Sequence, residues 1–206
     1  MRKSKYAPVL PRKTTPKVKG GRVQKKNNWS PTTDAVLLAG TAVAFDRCRP
    51  GAGYRHLIRK ADLETFIALL PDWDELAVGL RYVVLDAGEY EVCGWHTPGV
   101  VALCAWERDL WIDYYPDFVD EHRWLLDRLG VEVVREHETC VIVRWTETTA
   151  KAYQLLHVFL HELGHHHDRM TTRSRSTAAR GEPYAETYAE RYADRIWDAY
   201  EAEFGW

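Results

Sequence analysis

Apolar positions recur at helical spacing over residues 61–70 (ADLETFIALL), and Pro71 either ends that helix or opens a second short one, PDWDELAVGL. The period then changes. Residues 81–86 (RYVVLD) read as a strand, residues 90–95 alternate weakly as its partner, and residues 100–106 (VVALCAW) form a continuous apolar strand. A charged turn, Glu107-Arg108-Asp109, precedes residues 110–115 (LWIDYY), which are expected to return as a partner strand. Asp117 is placed to cap a helix running to Leu129, with Gly130 as its stop. Residues 131–135 and 140–145 (CVIVRW) then make a hairpin around His137-Glu138. Two long helices complete the pattern. One covers about residues 148–170 and is apolar nearly all round, hence central and buried; the other covers residues 182–204, after a polar loop. The mixture predicts an α+β fold, a small mixed or antiparallel sheet packed on these two helices.

Composition changes this picture at one end. The 206 residues, 46% hydrophobic, suffice for one domain with a core. The net charge of -2 conceals an asymmetry: residues 1–26 hold ten Lys or Arg and no acid, and Asp34 is the first carboxylate. With Pro8, Pro11, Pro16, Gly20 and Gly21 as well, this segment lacks the apolar surface that would offset its ordering entropy. Residues 1–27 are therefore expected to be a disordered basic tail and residues 28–206 the folded domain. The tail is either a solvating segment or a contact arm for nucleic acid or an acidic partner. No apolar run approaches the roughly 18 residues of a membrane span, and no apolar stretch follows the N-terminal charges as in a secretory signal. Cys48, Cys93, Cys104 and Cys140 are scattered, as free thiols of a reducing compartment are. A cytoplasmic protein with no membrane partner is expected. Cys93 and His96 have C-x-x-H spacing, but no matching second half follows, so no second metal site is expected from them.

The chemistry concentrates in His161-Glu162-Leu163-Gly164-His165. Residues four apart share a helix face, so His161 and His165 can grip one ion, and imidazole suits zinc. Glu162 is rotated about 100° round the axis. Its carboxylate falls beside the ion, where it can act as general base toward a metal-activated water. Gly164 is costly in mid-helix by about 1 kcal/mol against Ala, so close backbone packing is expected there. A catalytic zinc needs a third protein ligand. The last helix offers Glu182, Glu186, Glu190 and Asp194 on one face, beside a stripe of Tyr184, Tyr188 and Tyr192. His166 and His167 point elsewhere, while Asp168 lies on the ligand face and can ligate or orient a ligand.

HELGH, followed about twenty residues later by Glu186-Thr187-Tyr188-Ala189-Glu190-Arg191-Tyr192-Ala193-Asp194, resembles the gluzincin branch of the zincin metallopeptidases. Its layout is similar to that of small cytoplasmic peptidases that cleave repressors of mobile elements and stress responses. The resemblance covers roughly residues 140–200. It implies Zn2+ as cofactor, a protein or peptide substrate, and Glu186 as third ligand, with Ala189 and Ala193 as small packing residues. In a second register Glu190 is the ligand and Asp194 orients His161. It also implies a sheet edge strand lying along the cleft, for which residues 100–106 are the candidate. For a group that stabilises the transition state, Tyr184, Tyr188, His137 and His122 are open. The expected function is a zinc-dependent metallopeptidase with Glu162 as general base. The alternative is a non-enzymatic, zinc-stapled module whose basic tail contacts nucleic acid or a protein partner.

Overall fold

The computed structural model describes residues 42–89, 92–172 and 180–205, with the backbone of one short antiparallel pair, Val18–Lys19 against Arg22–Val23. The disordered tail expected over residues 1–27, and the domain start at residue 28, otherwise lie outside the described residues.

The architecture is mixed α+β with small sheets, as the pattern predicts. Strands β1 (Ala44–Arg47), β3 (Tyr82–Asp86), β5 (Val100–Cys104) and β4 (Gly94–Thr97) make a four-stranded sheet in that order. The first two pairings are parallel and β4 joins antiparallel. Strand β2 (Tyr54–Arg55) pairs with β6 (Trp106–Glu107). Strand β7 (Trp111–Tyr114) and the hairpin β8 (Glu132–His137) and β9 (Cys140–Arg144) form an antiparallel sheet in the order β8-β9-β7.

Three strand expectations are corrected. Residues 100–106 are not an edge: β5 is paired on both sides and all five of its residues are buried. That explains the unbroken apolar run, since a strand covered on both faces has no polar face to alternate with. The partner of β5 is the 94–97 strand, whereas residues 90–95 were expected to pair with β3. Residues 110–115 do not return to β5, whose edges are taken; β7 pairs with β9.

Helices α1 (Lys60–Leu69) and α2 (Trp73–Leu76) stand where the apolar spacing puts them. Helix α3 (Pro116–Arg128) starts two residues earlier than expected. Tyr115 is its N-cap, Pro116 fills the first turn, and Asp117 sits inside that turn near the positive end of the helix dipole. Gly130 stops it with a φ of 63°. The central helical run begins at α4 (Glu147–Tyr153), capped by Thr146, whose side chain accepts from Thr149 N at 3.0 Å. It passes through a π-helical segment, Gln154–Phe159, into α5 (Leu160–Thr171). The last helix, α6, spans Glu182–Phe204.

Leu155, Leu156, Phe159, Leu160 and Leu163 of the central run are fully buried. At about 1.5–3 kcal/mol for each such side chain, burial outweighs the helix propensities of this His-rich segment. Phe159 meets Phe66 of α1 edge-on at 5.7 Å, and Phe66 meets Tyr200 of α6 at 5.9 Å, so three helices share one aromatic joint. Helix α5 lies between α6 and strands β4 and β5. Among the described residues no helix is long and apolar enough to cross a membrane.

Candidate metal centre

Two close approaches frame the motif. A Cβ on Gly164 would stand 3.0 Å from Ala185 Cα and 3.0 Å from Tyr188 Cβ, so α6 crosses α5 backbone to backbone there. Ala185, Ala189 and Ala193 continue the contact, all fully buried. On the other side, a Cβ on Gly94 would meet Val158 Cγ1 at 2.6 Å and Glu162 Cγ at 3.1 Å, so β4 runs directly over Glu162. The motif is thus held between a helix carrying carboxylates and an edge strand carrying His96.

His161 and His165 converge as the four-residue spacing requires, with their Nε2 atoms 3.0 Å apart. The carboxylate nearest both is that of Glu182, the first residue of α6. Its Oε2 is 3.1 Å from His161 Nε2 and 3.3 Å from His165 Nε2. Glu186, one turn on, reaches the other nitrogen of His161: its Oε1 makes an ion-pair contact with Nδ1 at 3.0 Å, outside hydrogen-bond geometry. Glu190 is exposed and belongs to none of the donor groups among the described residues. Asp194 pairs with Arg128 of α3 at 2.5 Å, well away from the role of orienting His161.

Burial works against a charge on His161, but hydrogen bonding to Glu182 and contact with Glu186 overcome it and hold its pKa up to about 10. The same hydrogen bonds, from His161 and then His165, hold the Glu182 carboxyl well below the usual range. Ligand atoms of His161, His165 and Glu182 all lie within 4.8 Å of one another, a two-imidazole, one-carboxylate set of the kind that holds zinc with a position left open.

Glu162 is buried beneath β4, and its carboxylate lies within 4.8 Å of ligand atoms of both His96 and His165. His96 Nδ1 stands 3.6 Å from Glu162 Oε2, and the His96 ring stacks on His165 with centroids 4.7 Å apart and planes 11° apart. His96 therefore belongs to this centre, not to a C-x-x-H site. Burial, then the charge of Glu162, pushes the Cys93 thiol up to about 11.

Asp168 is neither ligand nor orienter of His165. Its buried carboxylate accepts from Arg180 Nε at 2.7 Å, Gly181 N at 3.1 Å and Thr172 Oγ1 at 2.9 Å. It thereby ties the end of α5 to the start of α6. His166 donates Nε2–H to the carbonyl of Val78 at 2.9 Å, and His167 Nδ1 meets Tyr184 OH at 2.7 Å.

The proposed transition-state groups are dispersed. His137 is exposed beside the hairpin turn, Tyr184 is engaged by His167, and Tyr188 is buried against Tyr192 at 4.6 Å. His122 sits with His157, their Nε2 atoms 3.0 Å apart. Reasoning from the sequence missed His157, although the four-residue series His157, His161, His165 was a signal for it, and it took His96 only as half of a C-x-x-H spacing with Cys93, not as a neighbour of this motif.

A cavity of about 640 Å³ opens beyond Cys93, between β6, β7 and α3. Glu89, Glu107, Asp113, Asp117 and Glu121 line it together with aromatic walls such as Tyr114. It contains none of His161, Glu162 and His165, so the chemistry is assigned by the donor set and not by this opening. The Cys93 thiol feels both Glu162 and Glu107, which makes the cavity a neighbour of the motif.

No protein-family model, curated protein or solved structure matches this chain.

Proposed function

We propose that the protein is a zinc-dependent metallopeptidase of gluzincin-like layout, with His161, His165 and Glu182 as ligands and Glu162 as general base. The observation that carries this reading is the cluster round α5: His161, His165 and Glu182 bring ligand atoms within 4.8 Å of one another, and the buried Glu162 lies beside them under β4, within the same distance of His165. A bound zinc would supply Lewis acidity to a water molecule and to the substrate carbonyl. Glu162 would take the proton from that water and pass it to the leaving amine. Glu186, at His161 Nδ1, would fix the orientation of that ligand, as acceptors behind metal-binding histidines do. Among the described residues strand β4 is an edge of its sheet, where an extended peptide can add beside it. The acidic cavity beyond Cys93 suits basic side chains of such a substrate.

The ten basic residues of 1–26 would recruit nucleic acid or an acidic partner, with an affinity that falls steeply with salt. The four cysteines, none of them in a disulfide, fit work in the cytoplasm. A purely structural, zinc-stapled module is disfavoured by Glu162, since a staple has no use for a buried carboxylate beside its ligands.

The deciding experiment is Glu162→Gln, which keeps shape but removes proton acceptance. Zinc content and melting temperature should hold, while hydrolysis of a responsive peptide from a library should fall at least about 10²-fold. An active Glu162→Gln protein would sink the mechanism, and a zinc-free one would make Glu162 a ligand.

A further inference from the structure

Glu186 faces two histidines at once. Its Oε1 stands 3.0 Å from His161 Nδ1 and 4.0 Å from His157 Nε2. His157 lies one turn before His161, in the π-helical segment, where such a local widening often accompanies a functional site. Its Nε2 is 3.0 Å from Nε2 of His122, which α3 carries in from another part of the chain.

The state of these rings follows from their partners. His122 Nδ1 is 2.7 Å from the carbonyl oxygen of Phe118. A carbonyl only accepts, so this nitrogen bears the hydrogen and Nε2 presents its lone pair. Ligating histidines characteristically donate their second nitrogen to a backbone carbonyl in this way. His157 has a side chain 8% exposed, and its Nδ1 has no hydrogen-bond partner. Both rings are fixed by aromatic neighbours: Phe118 lies 4.4 Å from His122, and Tyr153 stacks on His157 at 5.1 Å. His122 Nε2 accepts Nε2–H from His157 at 3.0 Å, and the buried Nδ1 of His157 is left without a partner, a costly arrangement in an otherwise apolar joint with a half-exposed carboxylate alongside. A cation beside the two Nε2 atoms gives it a purpose, and the half-exposed Glu186 gives an ion its way in.

We propose that His122, His157 and Glu186 form a second site for a divalent transition-metal ion. Ligand atoms of the three lie within 4.8 Å of one another, and two imidazoles with one carboxylate suit zinc. Glu186 then links the two centres, as ligand of one ion and as the group behind His161 at the other.

The test is a count of metal. Metal-free protein, prepared by chelation, is titrated with Co2+ under its visible absorption, and zinc-loaded protein is analysed by mass spectrometry of the elements. Wild type should take up two equivalents. His122→Asn and His157→Asn should each take up one, with circular dichroism confirming the fold, and His161→Ala/His165→Ala should retain the other. One equivalent in wild type, lost in His161→Ala/His165→Ala and kept in His122→Asn, overturns the second site. Two equivalents persisting in His122→Asn overturn it as well. One equivalent lost in His122→Asn but kept in His161→Ala/His165→Ala would uphold this site and remove the peptidase centre. If the Asn variants do not fold, the wild-type count still decides: two equivalents support the site and one, lost with His161 and His165, refutes it.

Discussion

The carboxylate of Asp168 accepts the backbone N–H of Gly181 at 3.1 Å, and this single bond fixes where the last helix begins. Gly181 has φ 74° and ψ -155°, a backbone conformation open to glycine, and the next residue is Glu182. Asp168 thus sets the height at which Glu182 meets His161 and His165, although it touches neither.

Asp168→Asn should therefore act at a distance. Losing a buried carboxylate that accepts from Arg180, Gly181 and Thr172 should cost about 1–3 kcal/mol of stability. Zinc affinity should fall as well, because Glu182 is no longer held in place. Burial raises the Asp168 carboxyl, but the hydrogen bonds from Arg180 and Gly181 outweigh it and hold the group below its ordinary value. Its stabilisation is therefore full above the usual Asp range and is lost as pH falls below it. Thermal melts of wild type and variant should converge as the pH drops into that range; a constant gap would refute the assignment.

The third ligand is open to a direct ranking. Glu182→Gln should weaken zinc most, by more than the 10–100-fold typical of a partner behind a ligand. Glu186→Gln should fall within that range at the first centre, and Glu190→Gln should change nothing measurable. Competition with a chromophoric chelator gives the order, and a larger effect from Glu190 would return the alternative register.

That ambiguity has a physical origin. The last helix opens Glu182-Pro183-Tyr184-Ala185, Glu186-Thr187-Tyr188-Ala189, Glu190-Arg191-Tyr192-Ala193. Each unit is about one helical turn, so every acid has the same neighbours on its face. Local pattern cannot say which of them stands nearest the two histidines; that depends on where α6 begins, and the Asp168–Gly181 tie at this start joins residues 13 apart in the chain. Helix positions were legible for the opposite reason, since their apolar spacing is local, as at Leu63, Phe66 and Ile67. Strand pairing was not. Nothing near Trp111 or Gly94 in the sequence announces that one pairs with Arg144 and the other with Leu103. His96 enters the centre only through that second pairing.

Zinc binding should release protons. His161 in the metal-free protein carries a pKa of about 10, since Glu182 and Glu186 overcome its burial, and a metal ligand must be neutral. Near pH 7.5 binding at this centre should expel about one proton from His161, and affinity should rise about tenfold per pH unit. Without zinc the sign is reversed: a raised pKa stabilises the fold fully below the ordinary value of 6.5, and this is lost as pH rises through about 10. Calorimetry in buffers of different ionisation enthalpy counts the protons. No buffer dependence would mean that His161 is already neutral.

The last prediction concerns His96, which offers two separable contacts. Its ring stacks on the proposed ligand His165, and its Nδ1 approaches the proposed base Glu162. It belongs to an edge strand, so it also marks the line along which an added peptide would lie. If His96 positions Glu162, His96→Ala should keep the zinc content and lower kcat by about 10–100-fold, the usual scale for a group that orients a reacting one. KM should move less, because the backbone edge of β4 is untouched. His96→Phe retains a ring against His165 but has no nitrogen near Glu162. It should be as slow as His96→Ala if the Nδ1 contact matters, and should recover most of the rate if stacking alone matters. Loss of zinc in both variants would show instead that His96 is a ligand, with His165 and Glu162 completing its set.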